Sequence, residues 1–175
     1  MTSRREFSLA LLAAPAVLQA DPATDEFLWE FTYTAQHAID LAKAFPESKF
    51  AWRPAPGVRS AGEVFVHLGS SNLLLLGKAG AAGSWPDVKE IHDWEKTKAT
   101  KPQAVELLER SKAAVEKAYK EAGAAGLAKK VDFFGKPATA NAIYLRILAH
   151  TNEHTGQMIA YARTAGIAPP WSKSE

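Results

Sequence analysis

The chain of 175 residues contains no cysteine. That absence excludes disulfides, thiolate metal sites, a cysteine nucleophile and a lipoprotein anchor. No run of about 20 apolar residues occurs, so a conventional membrane-spanning helix is not expected. Charge of one sign is scarce too. Lys and Arg total 21 against 19 Asp and Glu, net +2, with no block of five like charges. That is too little for a nucleic-acid footprint or for a basic or acidic tail. No Gly-rich phosphate loop and no Ser-nucleophile motif appears, and neither internal repeats nor low-complexity segments are visible. What is present is an ordinary globular composition, 47% hydrophobic and 23% charged, long enough for one domain with a real core.

The first twenty residues read as an address. Arg4 and Arg5 precede an apolar run, Leu9 to Leu18, which ends in Leu18-Gln19-Ala20 ahead of Asp21-Pro22. A positive start, a short apolar stretch and a small residue at the end make a secretory signal. The paired arginines followed by Glu6 and Phe7 resemble a twin-arginine signal, departing from it at Ser8. The expectation is a signal peptide over residues 1–20 and a mature domain over 21–175, periplasmic or extracellular. Cleavage is expected after Ala20, with Ala16 as the alternative. Removing Arg4, Arg5 and Glu6 leaves 19 basic and 18 acidic residues, net +1.

Four helical segments stand out in the mature chain. The first spans about Thr24 to Phe45, with Thr24 as N-cap and Phe27, Phe31, Thr34, Ala38, Leu41 and Phe45 at helical spacing. Pro46 ends it. The second begins at Ser60, where Glu63 completes a capping box, and runs to about Lys78 with Val64, His67, Leu68, Ser71, Leu74 and Leu75 on one face. The third runs from Thr100, with Gln103 as a second capping box, to about Glu121. Its buried stripe is Val105, Leu108, Ala114 or Val115, Ala118 and Tyr119. The fourth runs from about Thr139 to Ala165, with Gly166 as its stop. Residues 79–99 form a long connection with room for one helical turn at 87–94. Residues 130–137 alternate weakly, like a strand, and the tail 168–171 is expected to be extended. Long helices with long connections and no clear sheet indicate an all-α four-helix bundle whose connections cross its ends.

The fourth helix contains His150-Thr151-Asn152-Glu153-His154. Two histidines four apart lie one turn above the other, so both imidazoles can reach one cation. Ile143, Ile147, His150, His154, Met158 and Tyr161 continue a single stripe, which points the pair inward, where unpaired imidazoles are costly. His67, on the apolar face of the second helix, is the candidate third ligand. Its alternative role is that of a core histidine with a hydrogen-bond partner. Three neutral nitrogens leave coordination positions open, as in catalytic rather than structural sites. Gln157, three residues past His154, is a candidate to orient a ligand from outside the coordination sphere. His37, His92, Glu153 and Glu63 read as non-ligands, Glu63 being used by its capping box. The five tryptophans read as packing residues or loop anchors.

Several stretches carry a resemblance. Leu41 to Glu47, Trp52-Arg53-Pro54, Arg59 to Leu68, Ile147 to His150 followed by His154, Gly156-Gln157 and Tyr161-Ala162-Arg163 resemble the DinB-like superfamily across essentially the whole mature chain. The resemblance implies a four-helix bundle of the DinB/YfiT type, regarded as a metalloenzyme fold. It also implies that His67, His150 and His154 bind a divalent metal, zinc or nickel. Characterised relatives include bacillithiol transferases and a mycothiol-dependent isomerase, in which the metal activates a thiol; an export signal sets this chain apart from those cytoplasmic proteins. The function so implied is a metal-dependent hydrolase or thiol transferase acting on a small molecule. The alternative is a non-enzymatic protein that binds a metal or small ligand. Neither nucleic acid nor a stable membrane anchor is expected as a partner, and a homodimer is compatible with either reading.

Overall fold

The computed structural model describes residues 22–172. The expected export signal in residues 1–20 lies outside them. Five α-helices follow in order: α1 (Pro22–Ala44), α2 (Ala61–Lys78), a short α3 (Val88–Thr97), α4 (Lys101–Leu127) and α5 (Ala140–Thr164). Between α4 and α5 a small antiparallel hairpin pairs β1 (Lys130–Phe133) with β2 (Lys136–Thr139). Its two-residue turn, Phe134-Gly135, has positive φ at both positions, the turn geometry whose twist suits a tight hairpin. This is the all-α bundle the sequence indicates, with the four long helices as its walls.

Each of α1 and α2 packs against both α4 and α5. Consecutive long helices α1 and α2 therefore occupy one diagonal of the bundle, and α4 and α5 the other. The segments joining them, residues 45–60 and 128–139, must cross the bundle ends. α3 packs on the outside of α2 and occupies the connection expected to hold only one turn. The capping box of Asp87 and Glu90, with 2.8 Å bonds in both directions, starts it.

α2 is the central element. From Ala61 to Leu76 every residue is buried except Glu63, His67 and Leu74, which are half-buried. The expected single apolar face is thus too narrow a description, because α2 is covered by α3 as well as by α4 and α5. Its capping box is the expected one. Ser60 Oγ accepts from the Glu63 amide at 3.3 Å, and the Glu63 carboxylate accepts from the Ser60 amide at 2.6 Å. The stripe expected on α1 is buried throughout, from Phe27 to Phe45, as is that on α5, where His154 alone is half-buried.

Four local expectations are corrected. Thr24 lies within α1 and is not its N-cap. Thr100 precedes α4, but its hydroxyl donates to the Gln103 side chain at 2.8 Å rather than accepting from the backbone, so no second capping box forms. α4 continues past Glu121 to Leu127 across Gly123, whose φ of +55° breaks the regular helix and is open to glycine at little cost. The tail is not extended. It closes in a 3-10 turn, Pro170–Ser172, that brings the Trp171 ring to 4.1 Å from that of His37.

Candidate metal centre

His150 and His154 project from α5 one turn apart, with ring centroids 4.4 Å from each other. The His67 ring comes across from α2, 5.3 Å from His150 and 4.9 Å from His154. One nitrogen from each ring falls within 4.8 Å of the other two. His150 is buried and the other two half-buried. The residues singled out by spacing are therefore brought together.

Each ring nitrogen can be assigned a role by following donors and acceptors. A backbone carbonyl can only accept. The Arg59 carbonyl takes the Tyr161 hydroxyl proton at 3.2 Å, so the Tyr161 oxygen accepts from Gln157 Nε2, also at 3.2 Å. Gln157 Oε1 then faces His154 Nδ1 at 2.8 Å and accepts its proton. The second chain starts from the other end of the same residue. The Arg59 guanidinium can only donate, and it does so to Glu95, Nε to Oε2 at 2.7 Å and Nη2 to Oε1 at 3.3 Å. Glu95 Oε1 accepts from His67 Nδ1 at 2.7 Å. Both chains place the proton on Nδ1 and leave Nε2 bare on His67 and on His154. A carboxylate or amide behind each imidazole is the usual way a metal-ligating histidine is oriented.

His67 Nε2 lies 3.3 Å from His150 Nε2. Two nitrogens each about 2.0–2.1 Å from a shared tetrahedral cation stand about 3.3 Å apart, so the spacing fits. His150 Nδ1 is buried and has no hydrogen-bond partner among the described residues. Burial pushes the His150 pKa down to about 3, helped by the neighbouring His154 and His67. Burial also lowers the His67 pKa, outweighing the hydrogen bond it donates to Glu95, which raises it. Glu95 is pushed up by its own burial, but hydrogen bonds from Arg59 and His67 outweigh this and hold its carboxyl below the usual range. His67 and His150 are thus neutral at pH 7 and Glu95 is ionised, the states a cation site requires. The cluster is compatible with a divalent metal ion.

The remaining candidates fall as expected or are corrected. Glu63 serves its capping box and an ion pair with Arg53 at 3.2 Å. Glu153 is exposed, 4.0 Å from Arg146. His37 packs between Tyr33 and Trp171, and His92 is exposed on α3. Also on α2, Ser71 Oγ reaches His67 Nδ1 at 3.5 Å, and Asn72 Nδ2 donates to Thr151 Oγ1 at 3.3 Å. Trp52, Trp85, Trp94 and Trp171 are half-buried anchors, whereas Trp29 is 67% exposed and stacks on Tyr33 at 6.2 Å. Sequence reasoning missed Glu95 and Arg59 as supports of the cluster. A signal existed for Glu95: it lies four residues after Ile91, on the same helical face, and both are buried.

A metal-compatible trio of histidines contributed by two helices of a four-helix bundle defines the class of protein. A family model of the DinB superfamily matches residues 30–158, and the chain belongs to that superfamily. Among solved structures it is similar to a DinB-like protein from Bacillus cereus ATCC 10987, at 21% identity and TM-score 0.70, with 83% of this chain and 95% of that one covered. It is also similar to a DinB-like protein from Bacillus subtilis, at 22% identity and TM-score 0.57, with 81% and 92% covered. These likenesses concern the fold. No curated protein matches the chain.

Proposed function

We propose that this is an exported, metal-dependent enzyme in which His67, His150 and His154 hold a divalent cation, zinc or nickel, and which acts on a small molecule by hydrolysis or by thiol transfer. The observation that carries the proposal is the pair of hydrogen-bond chains from Arg59. They fix two imidazoles with Nε2 bare and aimed into the cluster, an arrangement that a core histidine does not need. When bound there, the cation would supply Lewis acidity and lower the pKa of a water or thiol. Three protein nitrogens leave room for such a ligand. The chain's own part is to orient. Glu95 fixes the His67 ring and brings one negative charge to the site, and Gln157 fixes the His154 ring.

A second reading, binding of a metal or small ligand without turnover, is favoured by one observation. Glu95, the carboxylate in contact with the cluster, already accepts from Arg59 and His67. It is not free to serve as a general base. Assaying zinc- and nickel-loaded protein against thiol acceptors and against simple esters and amides separates the two. Turnover that vanishes on chelation and returns with metal supports the enzyme; tight metal binding with no turnover on any of these supports the binder.

Export is part of the same proposal. It rests on Arg4, Arg5 and the apolar run up to Leu18. The twin-arginine route carries folded proteins, which suits a domain that takes up its metal before leaving the cytoplasm.

A further inference from the structure

Beside the histidine cluster, on the outer side of Glu95 and Gln157, lies an open cleft of about 600 Å³ between the 53–59 loop and α3. That volume is in the range of small-molecule sites. Its polar groups are unevenly matched. Both carboxylates facing it are already engaged. Glu63 accepts from the Ser60 amide and from Arg53, and Glu95 accepts from Arg59 and His67. The donors are not so engaged. Among the described residues the side chains of Lys96 and His92 make no ion pair or hydrogen bond, and both are exposed. Arg59 uses Nε and Nη2 on Glu95, leaving both Nη1 protons free. The Gln157 amide spends one proton on Tyr161 and keeps the other. Arg53 ties the loop in place, donating to the Val58 carbonyl at 2.7 Å and to Glu63 at 3.2 Å, so the rim is held before any ligand arrives. Val58, 38% exposed, adds an apolar contact.

With the two ion pairs neutralised internally, the free groups of the cleft are donors, and the unmatched charge is positive. We propose that this cleft binds a small organic anion, its acidic oxygens held by Lys96 and Arg59, with His92 and Gln157 as further donors and its carbon skeleton against Val58. The site is separate from the metal position, since the bare Nε2 atoms point away from Glu95 and Gln157 and toward one another. The proposal extends the small-molecule reading above but does not depend on a metal being bound.

The test is calorimetric titration of the mature protein at pH 7 with succinate, inorganic phosphate and the neutral analogue succinamide. The account predicts saturable binding of succinate, weaker binding of phosphate, which has no carbon skeleton to set against Val58, and none of succinamide. Lys96→Gln should weaken binding at least tenfold, whereas Lys89→Gln, on the same helix but paired with Asp93, should leave it within twofold. Since substitution at Arg59 also disturbs Glu95, it is not used. Binding should persist after chelation and in His150→Ala, which separates the cleft from the metal site. Anion binding lost on chelation or in His150→Ala would place the anion on a metal and overturn the proposal. Equal binding in Lys96→Gln and wild type, or no binding of succinate, would overturn it as well.

Discussion

Arg59 serves the cluster twice, through its guanidinium to Glu95 and His67 and through its carbonyl to Tyr161, Gln157 and His154. Only the first chain depends on its side chain. Replacing Glu95 with Ala removes the acceptor behind His67 and should lower zinc affinity about 10–100-fold, measured by competition with a chromophoric chelator. Gln157→Ala should act on the other ring, reducing turnover more than metal content. The histidines also make the metal-free protein acid-sensitive. Both His67 and His150 have folded-state pKa values below the ordinary 6.5, His150 at about 3, so between those values the unfolded chain binds protons that the folded one does not. His154, Arg59 and Arg146, facing His150, act in the same direction. Stability of the chelated protein should therefore be full above about pH 6.5 and fall as pH drops toward 3, by about 1.4 kcal/mol per pH unit for one such histidine. Below about pH 4.5 Glu95 and Glu116, whose pKa values are also lowered, add to the loss. Urea titrations at pH 7, 6 and 5 with chelator check this; equal midpoints would contradict it.

Among the elements, the four long helices were legible because their apolar residues recur at helical spacing and their ends carry Ser60, Thr139 and Gly166. The trio of histidines was legible for the same reason, since His150 and His154 share a period with Ile143, Ile147 and Met158. α3 was not. Val88–Thr97 is so rich in charge that it reads as solvated connection, yet Ile91 and Glu95 make one buried face against α2. Glu95 escaped notice because burial of a carboxylate requires partners, Arg59 and His67, that lie 36 and 28 residues away. The junction of α3 and α4 is held close to the start of α2 at Gly62, where an added Cβ would meet the Ala99 carbonyl oxygen at 2.5 Å and Phe50 at 3.0 Å. Backbone cannot yield as a side chain can. Gly62→Ala should cost about 1–3 kcal/mol of stability, read from denaturant midpoints, with His67 and its partner Glu95 displaced as α2 and α3 shift. An unchanged midpoint would mean that the junction is softer than the contact implies.

At the scale of the whole molecule, the diagonal arrangement places α2 and α5 side by side, which is what allows one histidine from the first and two from the second to converge. The bundle class followed from helix lengths and connections; the diagonal pairing did not, because periodicity says which face is buried and not against what. The proposed export has its own test. Changing Arg4 and Arg5 together to Lys should retain the protein in the cytoplasm, and N-terminal sequencing of the exported wild type should begin at Asp21; undiminished export of the variant would remove the twin-arginine route. The central claim, that histidines from two helices hold one cation, is met most directly by elemental analysis of the purified protein beside His67→Ala and His37→Ala. The account predicts about one divalent ion per chain in the wild type and in His37→Ala, and loss of most of it in His67→Ala, which retains only two of the three nitrogens. Equal metal content in all three proteins, or none in the wild type after growth with zinc and nickel supplied, would contradict it.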